Sequence, residues 1–345
     1  MIASESLSER KVRTRQLIVG ILALPLSLLP FAAYLGLTPE GRSVRDRVQV
    51  AIAPPELPKL SQEQIAGAIE DAPRYEESVM ILAYHGVGTT SDAEGGYVVS
   101  PERLGEHLAI LRAAGMHTVT ARQVADSFRN GAPLPSNAVM ISFDDGRSDA
   151  MMFADPLLQQ AGMVATMFVI TNAASEPGVY YAGWDDIEAY SRSGRWDIEA
   201  HTAALHREQR TEGGRMLPAL TSLAPGESLT AFRDRIRRDL DRASGAIEAH
   251  VGKPAVAFAY PFGAYGIDRS NDPAIARIVR QEVSRRYLVA FQQDEQDSIP
   301  LATCGHIPLE LRRLEVESWS GLELLGHIDR AAGQEASKER CPASG

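Results

Sequence analysis

Strand-like and helix-like stretches alternate along the chain from about Ser78 onward. Strand signals fall at "VMILAY" (79–84), "AVMISF" (138–143), "VATMFVI" (164–170), "WDIEA" (196–200), "AVAFAY" (255–260) and "YLVAF" (287–291). Between them, helical patterns run through "PERLGEHLAILRAAG" (101–115), "TARQVADSFRNG" (120–131), "SDAMMFADPLLQQAG" (148–162), "WDDIEAYSRSG" (184–194), "LTAFRDRIRRDLDRASGAIEAHVG" (229–252) and "DPAIARIVRQEVSRR" (272–286). Pro101 suits a first helical turn, Thr120 a cap and Gly131 a stop, while Pro156 predicts a kink. Such alternation argues for a parallel α/β sheet. The number of repeats suits a (β/α) barrel and leaves an open sheet as the alternative. Residues 207–228, with Gly, Pro and Ser and no clear period, read as a surface insertion.

The N-terminal segment obeys a different pattern. Arg10, Lys11, Arg13 and Arg15 precede "LIVGILALPLSLLPFAAYLGL" (17–37), a stretch of 21 residues without a charge. At ~1.5 Å per residue it is long enough to cross a bilayer core. Pro25 and Pro30 predict a kinked span. It is long for a signal peptide and lacks a small-x-small cleavage site. Arg42, Arg45 and Arg47 follow, so the charge asymmetry across the segment is weak. The resulting expectation is a cytoplasmic basic tail (1–16), a transmembrane anchor (17–37) with its amino end inside, a linker (38–77), a main domain (78–330) outside the cytoplasm, and a C-terminal tail (331–345). Within the linker, "APPELPKL" (53–60) reads as extended and "SQEQIAGAIEDA" (61–72) as a short helix.

Composition narrows the partners. The chain has 345 residues, a net charge of −10 and no basic run in its body, which disfavours nucleic acid. Its hydrophobic fraction of 44% and charged fraction of 23% are ordinary for a globular protein. The only cysteines, Cys304 and Cys341, fit no CxxC metal pattern and cannot build a disulfide framework. Incidental thiols are the plainer reading, and export leaves room for one bridge.

Polar residues gather where strands end. "SFDDG" (142–146) closes one apolar run with Asp144 and Asp145, at the end where parallel α/β folds place their chemistry. Asp-Gly also suits a plain turn. "HTAALH" (201–206) follows "WDIEA". In a helix, at roughly 100° per residue, five positions turn His206 about 140° from His201, so a helical zinc motif is excluded. On a strand-to-loop transition the two can converge. Two histidines and one carboxylate form a sensible zinc set with a position open for water. A second carboxylate is then able to accept that water's proton. "AYHGV" (83–87) sets His85 after the first strand, and "FAYPFGAYG" (258–266) sets a proline-aromatic turn after another. Each of these two alone is more often structural than functional.

Taken in order, "YHGV … SFDDG … HTAALH … YPFGAY" resembles the polysaccharide deacetylases (NodB-homology, carbohydrate esterase family 4), and among them the exported poly-β-1,6-N-acetylglucosamine deacetylase branch. The likeness runs from about Ser78 to Val316. It implies a distorted (β/α) barrel of that family's type, preceded by the anchor. It implies Asp144 as catalytic base, His85 as general acid, and Asp145, His201 and His206 as ligands of a divalent ion, most simply Zn2+. It further implies substrate contacts from Phe262 and Tyr260 of the "YPFG" turn. Trp184 is a candidate sugar-stacking residue, although an aromatic at a helix start is more often core.

One departure matters. The arginine that family members carry three residues before the turn's proline is Phe258 here. Arg313, in "RRLEV", is a candidate replacement and joins the substrate-site candidates. His306 and His327 rival His85 for the acid role. The resemblance implies an N-deacetylase of a cell-surface or exported polysaccharide. Alternatives are a deacetylase of peptidoglycan or of a lipid-linked glycan, and an inactive glycan-binding protein. A non-haem iron oxygenase is disfavoured because Asp145 precedes both His201 and His206 by more than fifty residues.

Overall fold

The computed structural model describes residues 34–88, 97–294, 301–317 and 319–335. The chain divides into two compact units, up to Pro54 and from Pro55 onward. In the first, Pro39–Ile52 is a helix capped by the Thr38 side chain, which accepts from Gly41 N. Of the expected anchor 17–37, residues 17–33 lie outside the described residues. Among the described residues no helix is long and apolar enough to cross a membrane.

The second unit holds thirteen strands among its described residues: β1 Ser78–Tyr84, β2 Gly86–Val87, β3 Val98–Val99, β4 His117–Val119, β5 Ala138–Phe143, β6 Ala165–Val169, β7 Trp196–Ala200, β8 Glu208–Arg210, β9 Met216–Pro218, β10 Ala257–Ala259, β11 Val289–Asp294, β12 Ala302–Thr303 and β13 Leu311–Glu315. Seven of them, β1, β5, β6, β7, β10, β11 and β13, pair in parallel in that order. Because β1 pairs with both β13 and β5, the ring closes, and the open-sheet alternative falls. β4 joins β5 in parallel and β12 joins β1 antiparallel, both outside the ring. β5 is buried along its whole length, as expected for a strand covered on both faces.

Helices follow the sequence signals closely. Ala121–Asn130 begins with a Thr120–Gln123 capping box and ends at Gly131 in the left-handed region. This helix packs against β7, β10 and β11, and Arg122 N donates to Asp197 at the start of β7. It therefore closes the end of the barrel where the strands begin. Val124 and Ala125 join Val79, Ile81, Met140, Phe168, Val289 and Phe291 in one buried cluster there. The opposite mouth, where the strands end, is left for polar residues.

Residues within 38–77 are regular in places: Gln62–Glu70 is a helix with a Ser61–Gln64 capping box, packed on the helices Pro101–Ala113 and Gly321–Glu335. Residues 207–228 contain the antiparallel hairpin β8–β9. Cys304 is disulfide-bonded, so incidental thiols were the wrong expectation; Cys341 lies outside the described residues.

Candidate active site

Each chemically promising stretch begins within three residues of the end of a barrel strand. His85 follows β1, Asp144 and Asp145 follow β5, His201 follows β7, Phe262 follows β10, and Arg313 and Glu315 end β13. Together they meet at a cleft of about 400 Å³, lined by His85, Asp144, Asp145, His201, His206 and Phe262 among others. Its size suits a small ligand or a segment of a larger one.

The backbone is bent to aim these groups. Asp145 (φ 71°), Thr202 (φ 75°) and Phe262 (φ 57°) all occupy the left-handed region, which costs a non-glycine residue of order 1–3 kcal/mol. Gly146 (φ 75°) completes the turn after Asp145, and an added Cβ there would press on Val169 at 3.3 Å. Gly263 lets the "YPFG" turn lie against β11, where a Cβ would come within 2.9 Å of the Gln293 backbone.

Asp145, His201 and His206 each offer one ligand atom, all within 4.8 Å of one another. Asp145 Oδ1 is 3.6 Å from His201 Nε2 and 3.4 Å from His206 Nε2. Ligands bound at 2.0–2.1 Å to a tetrahedral zinc stand about 3.4 Å apart, so the set fits a divalent cation. Asp145 Oδ1 is also buried without a hydrogen-bond partner, an omission that a cation would correct. His201 Nδ1 lies 2.8 Å from Ala259 O, which leaves Nε2 turned toward Asp145. Burial, opposed by Asp144, pulls the His201 pKa down to about 4 and keeps its imidazole in the neutral, ligating form.

Asp144 is held differently. Arg313 Nη1 and Nη2 donate to its two oxygens at 2.6 and 2.7 Å, and Arg313 is wholly buried. Burial alone would raise the Asp144 pKa, but Arg313, His201 and His85 together hold it well below the usual carboxylate range. His85 Nε2 stands 3.9 Å from Asp144 Oδ2. On the other side of the ring, Nδ1 is 3.2 Å from Glu315 Oε1, an ion pair rather than an aligned hydrogen bond. Burial would lower the His85 pKa; Glu315, Asp144 and Asp145 outweigh it and push it up to about 9. Glu315 in turn accepts from Gln293 Nε2.

Several sequence candidates stand elsewhere. Trp184 is only 8% exposed, stacks on His250 at 4.3 Å and donates to Ser175 Oγ, so it is a core residue and does not reach the cleft. Tyr260 is fully buried with its hydroxyl on Leu309 O, and its expected substrate contact is likewise excluded by burial. Arg313 has no exposed surface for a substrate; its guanidinium is spent on Asp144. Phe262 does line the cleft, where it stacks on His206 at 4.6 Å. His306 pairs with Thr303 and His327 stacks on Trp319, and neither lines the cleft. Glu315, Gln293, Tyr97, Arg147 and Tyr180 contribute to the cleft or to its partners without having stood out in the sequence. Only Glu315 carried a signal: it lies two positions after Arg313 on one strand, hence on the same face.

The polysaccharide deacetylase family model matches residues 131–274, which include Asp144, Asp145, His201, His206 and Phe262. Over these residues the chain is similar to the polysaccharide deacetylase family. Among curated relatives, this chain is 25% identical over 202 residues to the poly-beta-1,6-N-acetyl-D-glucosamine N-deacetylase of Escherichia coli (strain K12), covering 53% of this chain and 30% of that one. The enzyme of the same name from Staphylococcus epidermidis (strain RP62A) is 22% identical over 176 residues, 50% of this chain and 56% of that one. The chain thus spans about a third to just over half the length of these relatives. The solved de-N-acetylase from Aggregatibacter actinomycetemcomitans shares the fold, with a TM-score of 0.59 at 24% identity, covering 72% of this chain and 99% of that one.

Proposed function

We propose that this protein is a metal-dependent N-deacetylase that hydrolyses acetamide groups on a poly-N-acetylglucosamine-like polysaccharide. One observation carries the reaction type. An ionised, arginine-held carboxylate (Asp144) and a protonated histidine (His85) face the same cleft as a two-histidine, one-carboxylate cation site. The names of the curated relatives support the substrate class.

Asp145, His201 and His206 would hold the ion, most simply Zn2+. Such an ion supplies Lewis acidity, making water acidic enough to lose a proton near neutral pH. Asp144 takes the proton of the attacking water. Arg313 keeps Asp144 a weak base, so the proton is passed on rather than retained. His85, charged through Glu315, delivers a proton to the leaving nitrogen, since expelling an unprotonated amide nitrogen is prohibitively unfavourable. Water adds to the carbonyl carbon, the C–N bond breaks, and acetate and a free amine result. Phe262 walls the cleft and braces His206. The uncharged stretch 17–37 supports a membrane-anchored, exported placement for the domain.

The test is acetate release from a panel of N-acetylated glycans, including poly-N-acetylglucosamine and peptidoglycan, with metal present and after chelation. Release from the first, abolished by Asp145→Asn in a folded protein, is the expected result. Glycan binding without bound metal or acetate release would make the protein a binding module instead. Preference for peptidoglycan would keep the reaction and replace the substrate.

A further inference from the structure

The five-residue spacing of His201 and His206 has to be folded back before both rings can point at Asp145. Their ring centroids are 4.7 Å apart, although the chain between them is neither helix nor strand. His201 is still held by the sheet, with its N–H on Val169 O. Thr202 then takes the left-handed conformation, and its hydroxyl is buried without a partner. The loop therefore carries local strain, and something must hold it.

Half of the restraint is backbone. Thr171 N and Asn172 N donate to Thr202 O and Ala203 O, both at 3.1 Å. The other half is a single carboxylate. Asp239 Oδ2 accepts from Ala203 N at 2.9 Å and Oδ1 from Ala204 N at 2.8 Å. Asp239 belongs to the helix Leu229–Val251 and lies on its buried face, with Phe232, Ile236, Leu240, Ala243 and Ile247. A carboxylate there is disfavoured unless its oxygens are satisfied, and two successive loop amides satisfy them. The side chain is 1% exposed and touches neither the cleft nor a candidate ligand.

We infer that Asp239 is a positioning residue for the metal site: by clamping the amides of Ala203 and Ala204 it makes a five-residue spacing deliver two convergent ligands. The loop is thus preformed before a cation arrives. The affinity arm of the test rests on the metal reading of the triad; the amide-exchange arm does not.

The experiment uses the full chain. Zinc affinity is measured by competition with a chromophoric chelator, and exchange of the Ala203 and Ala204 amides is followed in chelated and zinc-loaded protein. In the native protein both amides should be protected even without zinc. Asp239→Asn keeps the shape but turns an NH2 group toward a loop N–H. It should weaken zinc binding roughly 10- to 100-fold, the range for lost outer-shell support, and deprotect both amides while the barrel strands stay protected. A folded Asp239→Asn protein with zinc affinity within about twofold of native would overturn the inference. Should that variant not fold, the native protein still decides: amides that exchange freely until zinc is added would mean that the metal, not Asp239, orders the loop. A native protein that takes up no zinc refutes the metal reading and leaves the amides to judge Asp239.

Discussion

Arg313 and Asp144 are joined by two parallel charge-assisted hydrogen bonds, with Arg313 wholly buried and Asp144 nearly so at the edge of the cleft. They stand 169 residues apart in the chain, Asp144 just past β5 and Arg313 in β13. A buried pair of this kind is far more sensitive to loss of one partner than to loss of both. Arg313→Met should therefore destabilise the fold by about 3–5 kcal/mol, because the Asp144 charge is left uncompensated. In Arg313→Met the Asp144 pKa should rise, so activity should acquire an acid limb that the native enzyme lacks above pH 4. Denaturant melts together with a pH–rate profile check both effects. An unchanged acid side would show that Arg313 does not tune Asp144.

Glu315 is expected to set the alkaline limit of the reaction. His85 is useful as an acid only while protonated, and its pKa stands at about 9. Activity should thus persist below that value and fall as pH rises through it. Removing the carboxylate leaves burial, which lowers the histidine pKa, less opposed. Glu315→Gln should move the alkaline limb of kcat to lower pH by at least one unit. Its maximal rate at the new optimum should stay within about tenfold, because general-acid contributions of 10²–10⁴-fold are lost only when the acid itself goes. His85→Ala should show that larger loss at every pH.

What was legible in the sequence was what lies close together along the chain. "SFDDG" and "HTAALH" lie at the ends of apolar strand runs, so the parallel-barrel rule alone puts them at one mouth. The ends of one helix were equally readable, because Thr120 and Gly131 act on their own neighbours. Contacts across the barrel were not readable in this way. In "RRLEV" only the resemblance nominates Arg313 in place of the missing arginine, and the alternation that puts Glu315 on the same face as Arg313 does not say that the face meets His85. The same limit misplaced Tyr260 and Trp184: a position near a strand end gives proximity to the site, not the side from which a ring faces it. Asp239 was hidden inside an otherwise ordinary helical stripe.

The cation site should fail when any one ligand is lost, because the three supply all of its protein donors among the described residues. Chelation should abolish acetate release and added Zn2+ should restore it. His206→Ala should reduce zinc affinity by at least two orders of magnitude and remove activity, with the barrel's circular dichroism unchanged. Phe262→Leu, which removes the ring stacked on His206 at 4.6 Å, should weaken zinc binding only a few-fold while raising KM. Full occupancy and activity in His206→Ala would refute the site as described.

Trp184 and Tyr97 should separate packing from recognition. Trp184 is enclosed by His250 and Ser175, so Trp184→Ala should cost about 3–5 kcal/mol of stability through the cavity it leaves. At temperatures where that variant stays folded, its KM should equal that of the native enzyme. Tyr97 is 47% exposed and packs against His85 at the cleft in a tilted arrangement, with ring centroids 5.1 Å apart. Truncating an exposed ring leaves no cavity, so Tyr97→Ala should hardly change the melting temperature. It should raise KM for a glycan oligomer by about fivefold to tenfold, since an aromatic contact is worth roughly 1 kcal/mol beyond its area. Thermal melts and steady-state kinetics on the two variants distinguish these roles. A KM effect in Trp184→Ala comparable to that of Tyr97→Ala would restore Trp184 as a sugar-stacking residue, in spite of its burial.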